Sequence, residues 1–407
     1  MSDMTRRFFT AAGAASVAAS RSLSEQGSDP NRLRAGVIGC GIRGVGAHID
    51  SLLKMKETDS VEVAAVCDVF DKRAQRAAKL TGAAAYQDYR RLLESRDIDF
   101  VTIATPDHWH AQMALDAASA GKHIYCEKPM THTTEEAQQV VAKIRETGVK
   151  MQVGVQGMSD DSYETAYKYV QQGVLGKVVV AQIDYSRNYL DDYWLKKVDP
   201  DARPGVNLNW DLFLGPARKR PWDPERYFNW IRYSDYSGGV PAGLLVHRVT
   251  RIIRSLGLTI PEYGSAHGGK FEFTQSTAEV PETINIMLDY PGGPTVLLIS
   301  SMANDTPVPH VLRGHKATLE FTPTGFVIQP QELYERAGKT IIHRKRGGED
   351  TVLHMRNLLR AIRYNEPLKC DSILGYYGVA ACQFGILSYQ QRKYMKWDGA
   401  AQKIVPA

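Results

Sequence analysis

The stretch from Leu33 to Gly44, LRAGVIGCGIRG, constrains this chain more than any other. A short apolar strand runs straight into Gly39-Cys40-Gly41-Ile42-Arg43-Gly44, which has the G-x-G-x-x-G spacing. Gly39 permits a tight turn, Gly41 lets backbone approach a pyrophosphate, and Gly44 allows close contact of helix and strand. Backbone N–H groups at the start of the following helix would receive the pyrophosphate. Alone the pattern is weak, because loops use glycine freely. Context strengthens it: a second apolar strand, Val61 to Cys67, ends in Asp68, about where an acid meets the adenosine ribose hydroxyls. The reading is a dinucleotide-binding turn, with Gly39, Gly41, Ile42, Arg43, Gly44 and Asp68 as its binding residues. The Asp68 carboxylate favours NAD, since it would repel a 2′-phosphate, while Lys72 and Arg73 nearby keep NADP open.

Strand and helix alternate from Leu33 to about Val155. Strands are expected at Arg34–Ile38, Val61–Cys67, Phe100–Ala104, His123–Cys126 and Lys150–Val155, with helices near Val45–Lys54, Lys72–Leu80, His108–Ala120 and Thr134–Glu146. Continuous apolar strands between helices predict a buried parallel sheet, and right-handed crossovers make it doubly wound. Residues 31–155 therefore form an α/β Rossmann domain. Beyond Gln156 the periodicity changes: Ile284, Ile286, Leu288 and Tyr290 alternate with Asn285, Met287 and Asp289. Further strands at Val178–Arg187, Thr295–Met302, Ala317–Phe321, Gly325–Gln329 and Thr340–Arg344, with helices near Tyr163–Gln172, at Val246–Leu256 and at Met355–Tyr364, predict a second domain over 156–407. It should be α+β, with an open, mostly antiparallel sheet. An apolar sheet face of this size is rarely left bare, so a homodimer or homotetramer with sheets face to face is expected. The irregular, aromatic-rich segment Asn188–Ser237 is a candidate substrate loop.

Composition excludes several classes. The 50 basic and 45 acidic residues are interspersed, so the net charge of +5 points away from nucleic acid. No apolar run is long enough to span a bilayer. Residues 1–30 read as an export signal and linker: Arg6-Arg7 before Phe8-Phe9 and the small-residue stretch Ala11–Ala19 suggest a twin-arginine signal cleaved near Ser20. A periplasmic location follows, or a cytoplasmic one if the signal is not functional. The five cysteines are odd in number, scattered and without a C-x-x-C pair, so no disulfide framework is expected.

Chemistry concentrates after two strands. Thr105-Pro106-Asp107-His108-Trp109-His110 and Cys126-Glu127-Lys128-Pro129 lie at carboxyl ends of parallel strands, where open α/β sheets bind ligands. Lys128 there could hold or polarise a substrate hydroxyl, or move a proton if desolvated. A surface lysine in a turn is the plainer reading of that residue by itself. His108 and His110 lack an acidic or cysteine partner at ligand spacing, so no metal is expected. Arg187, Trp230, Arg232 and Tyr236 could line a sugar pocket, through aromatic faces on C–H surfaces and guanidinium bonds to hydroxyls, or could belong to the core.

With these motifs in view the chain resembles the Gfo/Idh/MocA family, which includes glucose–fructose oxidoreductase and inositol dehydrogenase. The resemblance rests on GVIGCGIRG, Asp68, TPDHWHA, Glu127-Lys128-Pro129, Val153–Gln156 and Gly173–Lys177. It continues through Asn209–Pro216, Tyr236–Gly239 and His354–Asn357. It implies a nicotinamide cofactor held also by Thr105, Pro106, His110, Glu127 and Lys128, a sugar or cyclitol-like substrate, and Lys128 as a key residue of the site. It also implies that His247 is the catalytic histidine. The family usually carries an aspartate four residues before that histidine; here the position is Gly243. If another acid takes its place, Asp235 and Glu225 are nearest in sequence. The expected activity is an NAD(P)-dependent oxidoreductase acting on a sugar, cyclitol or glycoside. The alternatives are a redox-neutral NAD-dependent glycoside hydrolase or lyase that oxidises transiently, and an inactive nucleotide-binding homologue.

Overall fold

The computed structural model describes residues 31–336 and 338–407; the expected export signal lies outside them. The first sheet contains β1 (Leu33–Ile38), β2 (Val61–Cys67), β3 (Ala84–Tyr86), β4 (Phe100–Ile103), β5 (His123–Glu127) and β6 (Met151–Gly154). Its order is β3-β2-β1-β4-β5-β6, and every pairing is parallel. Helices on both faces explain why β4 and β6 are buried along their whole length. Between β1 and β4 the strand order reverses. The crevice outside their carboxyl ends is where such sheets take ligands, and Gly39 and Thr105 both stand there.

The second sheet has ten strands, β7 (Val178–Asp184), β8 (Tyr263–Gly269), β9 (Thr283–Asp289), β10 (Thr295–Ser301), β11 (His310–Gly314), β12 (Ala317–Thr322), β13 (Gly325–Pro330), β14 (Ile341–Arg344), β15 (Met395–Asp398) and β16 (Lys403–Pro406). All its pairings but β7 with β10 are antiparallel. Along β9 the residues alternate between buried and more exposed, so one face meets a helical layer. That layer is formed by Ser162–Gln171, Val246–Leu256 and Ser372–Gln391, whose Ala166, Val249, Ile252, Ala381 and Phe384 share one core with Ile284, Ile286, Leu288 and Leu298.

Two features depart from the expected outline. The helix Ser372–Gln391 has no amphipathic signature, because it is buried on most sides. Gly378 lets it lie against the helix that carries His247: a Cβ there would stand 2.8 Å from Thr250 Oγ1. The helix Thr351–Tyr364 belongs physically to the first domain although it lies within 156–407. Its Met355, Leu358 and Leu359 pack with Ala35, Val37 and Phe100. Among the described residues no helix is long and apolar enough to cross a membrane. All five cysteines are buried and unbridged.

Candidate functional site

The glycine turn is built as its spacing demands. Gly39 takes a φ of 91°, a region open mainly to glycine, and a Cβ on Gly44 would overlap the Gly39 carbonyl. Gly41 has no neighbour within 4 Å of where its Cβ would be, so its backbone faces open space. The helix that follows opens with a π turn, Gly44–Ile49, before becoming α-helical over Asp50–Met55. A cavity of about 940 Å³ lies over this turn, and Gly39, Gly41, Ile42, Arg43, Asp68, Thr105 and Pro106 all line it. Its position, its open backbone and its acid at the end of β2 fit a dinucleotide.

Asp68 is buried, and its carboxylate accepts the N–H groups of Cys40 at 2.8 Å and Phe70 at 2.9 Å. Burial pushes its pKa up, with Arg73 and these two bonds opposing. Lys72 and Arg73, the basic residues next to Asp68 in sequence, are already engaged. Lys72 pairs with Asp199 at 2.8 Å, and Arg73 lies between the rings of Tyr227 and Phe228, 5.2 and 5.4 Å from their centroids. Titration of the apo protein should therefore show NAD binding at least about tenfold more tightly than NADP; clearly tighter NADP binding would reverse this.

Segment 188–237, expected as a substrate loop, covers the nucleotide cavity over much of its length. Leu208 bridges to Phe70, the Asp71 N–H donates to the Asn207 carbonyl at 2.9 Å, and the Asn209 N–H donates to the Val69 carbonyl at 2.9 Å. Lys196, Phe213, Tyr227, Phe228 and Trp230 form the outer wall. Trp109 Nε1 donates to the Phe213 carbonyl at 2.8 Å, which fixes the cover on the first domain. Trp230 thus faces the nucleotide cavity rather than a sugar pocket. Arg232 and Tyr236 do not line it: both are fully buried. Arg232 bonds Asp192, Ser276 and Thr277, while Tyr236 packs 5.3 Å from Phe213. A buried guanidinium needs partners, and these are structural ones. Arg187 is exposed beyond the end of β7, with its Cζ 5.6 Å from the Tyr185 ring.

At the other end of the cleft β5 delivers Glu127 and Lys128. Glu127 is buried, accepting from Arg43 Nε at 2.6 Å and contacting His48 Nε2 at 3.0 Å. Burial alone would raise its pKa, but Arg43 and His48 hold the carboxyl well below the usual carboxylate range. The glycine turn is thereby tied to the Glu-Lys-Pro strand end. His110 braces the same region, with Nδ1 2.7 Å from the Pro129 carbonyl and Nε2 2.9 Å from that of Thr105.

Lys128 Nζ donates to the Gly243 carbonyl at 2.8 Å, so it spans from the first domain to the π turn Pro241–Leu245 that enters the helix Val246–Leu256. Burial lowers its pKa against the pull of Glu127 and Asp107. His247 stands in the next turn, buried, with Nδ1 unpartnered among the described residues and its ring 6.0 Å from that of Tyr185. Burial, then Lys128 and Arg251, push its pKa well below 6.5, so the imidazole is neutral at neutral pH.

Among the described residues neither Asp235 nor Glu225 takes the place of the missing aspartate. Asp235 pairs with Arg220 at 2.8 Å, and Glu225 accepts from Thr277 at 2.7 Å. The space beside Gly243 is taken by Trp194, a buried residue with the unusual φ of 57°; a Cβ on Gly243 would lie 3.2 Å from its Cη2 and 3.5 Å from Ile231 Cδ1. Gly243→Asp should thus lower the melting temperature by several degrees without raising sugar oxidation. Calorimetry and a nicotinamide absorbance assay check this, and a gain in oxidation would overturn it. Trp194 belongs to the segment expected as a substrate loop, whereas Tyr185, Arg248 and Arg251 are the site residues that sequence reasoning missed. Only Arg251 had a usable signal, since it stands one helical turn after His247.

A doubly wound nucleotide domain whose strand-end lysine reaches a helix of an open-sheet domain defines a two-domain, dinucleotide-dependent protein. Residues 33–155 match the model of the Gfo/Idh/MocA family, described as an oxidoreductase family with an NAD-binding Rossmann fold. The inositol 2-dehydrogenase of Salmonella typhimurium is 32% identical over 161 residues, which is 39% of this chain and 46% of that protein. The levoglucosan dehydrogenase of Pseudarthrobacter phenanthrenivorans is 32% identical over 123 residues, 30% of this chain and 29% of the relative. The α-N-acetylgalactosaminidase of Shewanella oneidensis is 32% identical over 167 residues, 38% of this chain and 35% of the relative. The chain thus spans less than half the length of each of these relatives. The overall fold is shared more widely. A levoglucosan dehydrogenase solved with NADH and levoglucosan superposes with a TM-score of 0.67 at 18% identity, covering 90% of this chain and 99% of the other. An NAD-binding oxidoreductase from Klebsiella pneumoniae gives 0.67 at 21%, with the same coverage of 90% and 99%.

Proposed function

We propose that the protein is an NAD-dependent oxidoreductase acting on a hydroxyl of a sugar, cyclitol or glycoside, with Lys128 and His247 at the reacting oxygen. The observation that carries this reading is the Lys128–Gly243 bond, which holds an ammonium from the nucleotide domain beside the helix of a neutral, buried histidine. Gly39, Gly41, Ile42, Asp68, Thr105 and Pro106 would hold NAD, which when bound supplies hydride acceptance at the substrate carbon. Lys128 has N–H donors to spare beyond the Gly243 bond and hydrogen-bonds the substrate hydroxyl. The neutral His247 ring takes the hydroxyl proton. Glu127 positions Arg43 and the lysine's strand end rather than reacting.

The base form of His247 exists above its depressed pKa and is lost below it. The kcat/KM profile should therefore stay level as pH falls through about 6.5, the ordinary histidine value, and decline only in more acid solution. A limb centred at the ordinary value would assign the base elsewhere.

A second reading is favoured by the cover over the nucleotide cavity. An enclosed cofactor is best regenerated inside its site, and the redox-neutral route does this by returning the hydride after a glycosidic bond has been eliminated. One partial relative is a glycosidase. Denaturing the purified protein and identifying the released nucleotide by absorbance and mass comes first; mixing the holo form with sugars and aryl glycosides then separates the readings. Reduced nicotinamide that accumulates supports oxidation, aglycone release without it supports the second route, and neither result supports an inactive homologue.

A further inference from the structure

Three arginines stand around the site, Arg43 from the first domain and Arg248 and Arg251 from the helix Val246–Leu256. Arg43 is paired with Glu127, and Arg251 with Glu349 at 2.9 Å. Arg248 is different. Its Nε is buried without a hydrogen-bond partner, as is that of Arg251, but the Arg248 guanidinium alone of the three makes no hydrogen bond or ion pair among the described residues. It lies over the Tyr185 ring instead, with Cζ 4.2 Å from the centroid. The same ring stands 6.0 Å from that of His247, so Tyr185 links the unpaired arginine to the reacting histidine.

A cation without an ion pair drawn out of water is costly, and the neighbouring Arg251 adds to the cost; together these push the Arg248 guanidinium below its ordinary pKa, with the Glu349 carboxylate, already bonded to Arg251, opposing only in part. Stacking on tyrosine offsets part of this but leaves the N–H fork unused. A planar fork of donors matches the two oxygens of a carboxylate. Lys128 and Arg187 also lack a carboxylate partner among the described residues, but Lys128 has its place at the reacting hydroxyl and Arg187 is exposed to water, which leaves Arg248 as the spare guanidinium of the site. One spare guanidinium suits a monoanion better than a phosphate dianion.

We infer that the substrate is a sugar acid, such as a uronic acid or its glycoside, whose carboxylate is taken by Arg248 beside the Tyr185 face. This rests on the oxidoreductase reading for where the substrate lies, and it adds which sugars enter.

The test is binding to the NAD-loaded protein, followed by calorimetry, using matched pairs: methyl glucuronoside against methyl glucoside, galacturonate against galactose, and glucose 6-phosphate against glucose. The acid member of a carboxylate pair should bind at least about tenfold more tightly than its neutral partner. In Arg248→Gln that ratio should collapse towards one, and in Arg187→Gln it should persist. The wild-type pairs need no variant, so a misfolded Arg248→Gln leaves the test intact. Equal binding within the carboxylate pairs, no binding of either acid, a stronger preference for the phosphate, or an acid preference that survives in a folded Arg248→Gln overturns the inference. A selective uronide that produces neither reduced nicotinamide nor aglycone would retain the carboxylate site while removing the oxidoreductase reading. Neutral sugars oxidised without acid preference would do the reverse.

Discussion

Replacing Lys128 with methionine is expected to lower turnover by about 10²–10⁴-fold, the range for losing one positioned acid–base or polarising group. NAD affinity should change little. The reason is geometric: Lys128 does not line the nucleotide cavity, and its single side-chain bond is to the Gly243 carbonyl. Methionine keeps most of the volume of the chain and removes only the ammonium. Because the Lys128 charge acts on the buried His247, removing it also relieves the histidine, whose pKa should move back towards 6.5. Single-turnover rates with the bound cofactor, NAD titration and a pH profile check the three parts. A variant that retains near-normal turnover would remove Lys128 from the reaction.

Glu127→Ala should be the most destabilising exchange at the site. It leaves His48, which is fully buried, and Arg43, whose side chain is 36% exposed, without their shared carboxylate. Breaking a buried pair from one side costs about 3–5 kcal/mol, and the partial exposure of Arg43 places the loss near about 3 kcal/mol. The pH dependence has a definite sign. The carboxyl is held below its ordinary range in the folded protein, so its contribution is complete above the unfolded pKa of about 4.3 and is lost as pH falls towards the folded value. The stability gap between wild type and variant should therefore be level from neutral pH down to about 5 and narrow below it. Denaturant unfolding across that range measures it. A gap that widens in acid would show that the carboxyl is not held as an anion. Since Glu127 also anchors the glycine turn through Arg43, weaker NAD binding should accompany the loss.

Much of the architecture was legible along the chain. The helix Val246–Leu256 was read to the residue, because its apolar residues fall on one side at helical spacing and Gly257 closes it with a φ of 68°. The strands of the first sheet, apart from the three-residue β3, were readable as short apolar runs bounded by helices. The helix Ser372–Gln391 was not, because burial on most sides erases the periodicity on which such a reading depends. Strands β8, β11, β15 and β16 also escaped notice: β8 is rich in glycine, β11 is five residues long, and the other two are four.

The candidate site divides along the same line. The glycine turn, Asp68 and the Glu-Lys-Pro strand end were visible because each is a local backbone requirement, met by residues adjacent in sequence. The absence of an aspartate at Gly243 was visible too. What fills that space was not, since Trp194 reaches it from 49 positions away through an irregular segment and a left-handed φ that no periodicity encodes. Arg232 and Arg248 look alike in the sequence, yet one is bonded to Asp192 while the other is left without a charged partner over Tyr185. Sequence alone determined which backbone turns could cradle a dinucleotide. Only the tertiary structure decided which charges are cancelled at the site, because pairing depends on distances of a few ångströms between segments far apart along the chain.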